Sequence, residues 1–126
     1  MKNRMNLFIL SIILLVVTVA CNEKTNIDIG DAVGKTEHYF RQLQEIETTA
    51  SSFDGKKTVK FRLMVEGHPT EAEASMLFNL ILDTVAKYSN RPDVWEHYEG
   101  YFDIKNYDEG VIYEGIKRIG EDLKVQ

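Results

Sequence analysis

Cysteine and proline are nearly missing from this 126-residue chain, which has one cysteine, Cys21, and two prolines, Pro69 and Pro92. A single thiol excludes an intrachain disulfide and any cluster of thiolate metal ligands. There is no Gly-x-Ser-x-Gly nucleophile motif and no glycine loop of the phosphate-cradling type. The histidines, His38, His68 and His97, stand about thirty residues apart, without the close pairing of common zinc sites. Cations are also short, with 15 Lys and Arg against 20 Asp and Glu. Nucleic acid needs a basic surface, so an acidic chain excludes it as the natural partner. The longest apolar run, Leu7 to Ala20, includes Ser11 and Thr18 and is shorter than the ~20 residues of a spanning helix.

What that run does carry is an address. Lys2 and Arg4 precede it with no acid among them, and small residues close it before the lone cysteine. A charged start, an apolar middle and small residues at a cut site make a secretory signal. Val17-Thr18-Val19-Ala20-Cys21 resembles the lipobox of bacterial lipoproteins, with Thr18 where Leu is commonest. The resemblance implies a diacylglyceryl group on the Cys21 thiol and cleavage after Ala20. It also implies a place on the extracytoplasmic face of the cell membrane. Each buried methylene adds about 0.8 kcal/mol, so two acyl chains hold where one binds only reversibly. Residues 1–20 are then the signal peptide, 21–30 the lipidated cysteine and a short tether, and 31–126 one small domain. Without Lys2 and Arg4, 13 cations face 20 acids, a side-chain charge of −7. The tether reaches roughly 17–30 Å if extended, so the domain stays near the bilayer and a membrane-embedded protein is its natural partner.

Periodicity in the domain points to an α+β fold. Val59, Phe61, Leu63 and Val65 alternate with Lys60, Arg62, Met64 and Glu66, the pattern of a strand with one wet side. Thr70 and Glu73 form a capping box at the start of a helix to about Tyr88, with Ala74, Leu77, Phe78, Ile81 and Val85 on its apolar stripe. Val94 to Tyr107 alternates again, Asp108-Glu109-Gly110 reads as a hairpin loop, and Val111 to about Val125 reads as the return strand. Ile112, Ile116, Ile119 and Leu123 also fit a helix there, but Gly115 and Gly120 favour a strand. Asp31–Glu47 is expected to be a second helix, capped by Asp31, although Ile46 to Phe53 also suits a strand. The expected architecture is an antiparallel sheet of about four strands with the long helix packed on one face.

Chemistry is harder to find. His97 and Glu99, with Asp103 beyond, share a face of the expected 94–107 strand, but a solvated polar face explains them without a metal. Neighbouring carboxylates such as Glu96 and Glu99 are unsurprising in so acidic a chain. No catalytic residue, cofactor or metal is assigned, and an enzyme is not expected. The aromatic residues Trp95 and Tyr101, joined by Tyr107, lie among charges on that strand's wet side. Aromatics ringed by charge mark contact surfaces, so Trp95, Tyr101 and Tyr107 are the candidate partner-binding residues. The competing assignment is that these rings pack in the core.

A signal with its lipobox, a short tether and a body of about a hundred residues resemble, in overall format, the small exclusion lipoproteins of Bacillus integrative conjugative elements. That resemblance implies a non-enzymatic blocking module that makes its host refuse redundant conjugative DNA transfer by acting on a component of the conjugation machinery. The alternatives are a lipoprotein that captures a metal or ligand for a transporter, and an envelope structural or stress lipoprotein.

Overall fold

The computed structural model describes residues 28–126. The signal, the Cys21 lipidation site and residues 21–27 of the tether lie outside the described residues. In chain order the elements are helix α1 (Ile29–Arg41), strands β1 (Ile46–Phe53) and β2 (Thr58–Val65), helix α2 (Glu71–Ser89), a 3-10 turn (Val94–Glu96), and strands β3 (Glu99–Asn106), β4 (Gly110–Lys117) and β5 (Lys124–Val125). The five strands form one sheet in the order β1-β2-β3-β4-β5. The fold is α+β, and no described helix is long and apolar enough to cross a membrane.

Local chemistry sets most of these boundaries. The Thr70 hydroxyl accepts from the Glu73 N–H at 3.1 Å, and the Glu73 carboxylate accepts from the Thr70 N–H at 3.2 Å. Two otherwise orphaned donors of α2 are thereby satisfied. Removing an N-cap hydroxyl costs about 1 kcal/mol, so Thr70→Ala is expected to lower the free energy of unfolding by roughly that much, read as a lower urea midpoint. An unchanged midpoint would show that the cap adds nothing. Asn90 ends α2 in the left-handed conformation, φ 60°. In the β1–β2 turn the Asp54 carboxylate accepts the N–H groups of Lys56, Lys57 and Thr58. Those bonds, Thr58's foremost, lower its pKa to about 2. The β3–β4 hairpin closes through Gly110 at φ 77°, a conformation that glycine adopts without strain.

Three expectations are corrected. First, the sheet is mixed. β1–β2, β3–β4 and β4–β5 pair antiparallel, but the central pair β2–β3 is parallel. The reason is the crossover: α2 carries the chain back to the end where β2 began, so β3 sets out in the same direction. A fifth, two-residue strand also pairs with β4, after a turn at Gly120, φ 75°. Second, the helix expected at Asp31–Glu47 starts at Ile29 and stops at Arg41, and Ile46–Phe53 is the edge strand. Asp31 does not cap it; it lies in the first turn and pairs with Lys35 at 3.2 Å. Third, the strand expected from Val94 begins only at Glu99.

Both helices pack on one face of the sheet over a single core. Val59, Phe61, Leu63 and Val65 of β2 and Phe102 and Ile104 of β3 are buried there beneath Phe40 of α1 and Phe78, Ile81 and Val85 of α2. The Phe78 ring stacks on Phe102 with centroids 6.1 Å apart. A Cβ on Gly115 of β4 would come within 2.8 Å of the Phe78 ring, so the helix sits close because that position has no side chain.

Candidate functional site

Neither described helix covers the opposite face of the sheet, and the pairing register sorts its side chains into rows. One row reads Ser52, Lys60, Tyr101, Ile116 and Lys124. The next reads Ala50, Arg62, Asp103 and Glu114. Small side chains on β1 and long ones on the inner strands leave an open trough of about 370 Å³ along these rows.

The second row is internally braced. Arg62 Nε and Nη2 donate to the two carboxylate oxygens of Asp103 at 2.8 and 2.9 Å. This two-pronged geometry is the strong form of the pair. The hydrogen bonds to Asp103, and then its charge, raise the Arg62 pKa. Tyr101 stands between this pair and the sheet end, 36 % exposed. Its ring is the largest apolar surface on the trough, flanked by the half-buried Ile116. Every buried side-chain nitrogen and oxygen among the described residues has a hydrogen-bond partner. The trough therefore offers no buried, unsatisfied polar group to orient a small ligand. It offers a broad surface with an aromatic centre.

Of the three aromatic residues predicted to share a contact surface, only Tyr101 lies on this face. Trp95 sits in the 3-10 turn, 8 % exposed, with its indole N–H donating to the Leu82 carbonyl at 2.9 Å. Its ring meets Phe102 edge-on at 5.9 Å, on the helix side of the sheet. Trp95 is thus a core residue, and its expected exposure on a strand face is overturned. Tyr107 is 76 % exposed, but it lies in the β3–β4 loop, roughly 20 Å along the strand from Tyr101. Trp95, Tyr101 and Tyr107 do not form one patch. Burial within a 3-10 turn has no signature in alternating hydropathy; Pro92, two residues after the helix cap, is the one signal that could have delayed the strand.

His97 likewise leaves the strand face it was expected to share with Glu99 and Asp103. Its Nε2 lies 3.2 Å from Asp93 Oδ2. Asp93, Glu96 and His97 bring one ligand atom each within 4.8 Å of one another, all exposed. Their closeness follows from lying on one turn of backbone.

The ends of the sheet differ in charge and in distance from the tether. Near the β3–β4 tip, Asn106 donates to the Gly67 carbonyl at 2.7 Å, and His68 lies 2.8 Å from Glu109. Glu66, Asp108 and Glu109 lie in the turns at this end, and Glu71 and Glu73 in the first turn of α2. Loss of water contact, then the charge and hydrogen bond of Glu66, raise the Glu47 pKa at the same end. Helix α2 starts beside this tip and runs about 28 Å away from it. At its far end Tyr88 shares a crevice with Gly30, Gly34 and His38 of α1. The first described residues therefore lie at the end of the domain opposite the tip.

No protein-family model matches this sequence, and no curated protein matches it.

Proposed function

We propose that this protein is a lipid-anchored, non-enzymatic docking module on the outer face of the cell membrane. It works by occupying a membrane-embedded partner, and exclusion of redundant conjugative DNA transfer is the specific role its format fits. The observation that carries this reading is the uncovered sheet face centred on Tyr101. An aromatic ring beside an aliphatic side chain, braced by a paired Arg62–Asp103 and rimmed by charge, has the composition of an interface centre.

Anchoring supports the same reading. Two acyl chains on Cys21 confine the domain to a thin layer over the bilayer, which raises its effective concentration for any partner in that plane. Because the chain reaches the domain at the end away from the acidic tip, the tip projects outward. Repulsion from anionic headgroups favours that orientation. The sheet face then stands beside the bilayer, open to the extracytoplasmic part of a neighbour. Capture of a small ligand for a transporter would call for an enclosed pocket with converging polar groups, and the trough is shallow and open.

Tyr101→Ala is the test. A central aromatic of an interface carries about 2 kcal/mol, a roughly thirtyfold change in affinity. In recipient cells making the variant at normal abundance, refusal of conjugative transfer is expected to fall at least tenfold, while the thermal midpoint of the domain moves little. Full exclusion by Tyr101→Ala would remove the sheet face from the mechanism.

A further inference from the structure

We propose that the open sheet face receives an extended acidic stretch of its protein partner, recognised by the row Lys60, Tyr101, Ile116 and Lys124. The proposal rests on the docking role above and assigns the chemistry of what docks. The register sets the row across four strands: Lys60 lies opposite Tyr101, Tyr101 opposite Ile116, and Ile116 opposite Lys124. Neighbouring strands are about 4.8 Å apart, so the two lysine backbones stand roughly 14 Å from one another. In an extended chain, residues i, i+2 and i+4 point the same way and span about 13 Å. A carboxylate, an apolar side chain and a second carboxylate at that spacing meet Lys60, the Tyr101–Ile116 pair and Lys124 in turn.

Charge selects the same occupant. Residues 28–126 carry 12 Lys and Arg against 19 Asp and Glu. The two rows along the trough invert that balance, with Lys60, Arg62 and Lys124 against Asp103 and Glu114. Arg62 and Asp103 neutralise each other, and Glu99 accepts from the Thr58 hydroxyl at 3.1 Å. Among the described residues, Lys60 and Lys105 have no carboxylate at ion-pair distance, and Lys124 has only the exposed Glu121 at 3.6 Å. Surface pairs of that kind are weak and exchangeable. Glu114 repels a carboxylate placed one row over, which keeps the acidic residues on the lysine row. It also breaks up the unbroken positive field that a bilayer or nucleic acid would need.

The test uses the mature lipidated chain in detergent micelles and a synthetic probe, acetyl-Gly-Asp-Ser-Leu-Ser-Asp-Gly-amide. Saturable NMR shifts confined to Lys60, Tyr101, Ile116 and Lys124 are expected. Exchange of both probe aspartates for lysine, or Lys60→Glu in the protein, is expected to weaken binding at least tenfold. Lys60→Gln, which removes charge without adding any, is expected to fall between. In cells, Lys60→Glu with Lys124→Glu is expected to reduce exclusion at least tenfold at unchanged abundance. If those variants exclude fully while Tyr101→Ala does not, the docking role stands and the acidic occupant is wrong. If Tyr101→Ala also excludes fully, both fail. A dimer in sedimentation that Lys60→Glu dissolves would name a second copy as the occupant and overturn the proposal. Binding to phosphatidylglycerol vesicles that Lys60→Glu abolishes would overturn it equally.

Discussion

Trp95→Ala is expected to lower the stability of the domain by about 3–5 kcal/mol, the range for removing a large aromatic from a core. Domains of this size are stable by only about 5–15 kcal/mol, so the variant is expected to be largely or partly unfolded at growth temperature. Two losses add. The ring contact with Phe102 disappears, and so does the packing that ties the 3-10 turn to α2. The turn leads directly into β3, so its loosening also frees the start of the central strand. Trp95→Phe keeps a ring in the space and loses the indole N–H, so it is expected to cost markedly less. Urea unfolding of residues 22–126, followed by far-UV circular dichroism, checks both. A Trp95→Ala midpoint close to that of the unchanged domain would place the residue outside the core. Tyr101→Ala provides the contrast, because its ring is partly in water already.

The second large effect concerns Cys21. In Cys21→Ala, incorporation of a palmitate label into the protein is expected to drop to background, because no other thiol exists to receive it. Whether the variant is released or stays as uncleaved precursor, the proposed acyl anchor is gone. At about 0.8 kcal/mol per methylene, two chains supply far more binding than the domain's own surface, so the released domain is expected to leave the membrane fraction almost entirely. Exclusion is expected to fall at least tenfold at equal abundance. An unlabelled, freely secreted wild-type protein would end the anchored reading at once.

The proposed anchor at Cys21 rests on linear order alone, with charge, apolar run, small residues and cysteine in succession, and it lies outside the described residues. The capping box at Thr70 and Glu73 and the glycine at position 110 were legible for a similar reason. Each acts on backbone within a few residues. The alternation at Val59–Val65 showed one wet face before any pairing was known, and the same pattern placed Tyr101 on a wet face correctly. Trp95 fell on the same apparent alternation and was misplaced, since period-two spacing does not distinguish a strand from a turn whose side chains happen to pack.

Linear order alone therefore showed β2, α2 and the β3–β4 hairpin loop with their ends to within a residue or two, the acidic balance, the lone thiol, and which side of β2 and β3 is apolar. These depend on local backbone preference and on composition. Tertiary structure decided the parallel joining of β2 to β3, the burial of Trp95, and the row that sets Lys60 beside Tyr101 and Lys124 beside Ile116. The parallel joining, with its pairing of Lys60 and Tyr101, unites residues far apart in the chain and exists because α2 returns the backbone across the sheet and packs against Gly115, whereas Ile116 and Lys124 meet through the turn at Gly120. No local preference encodes where a crossover lands, so no local pattern shows what it brings together.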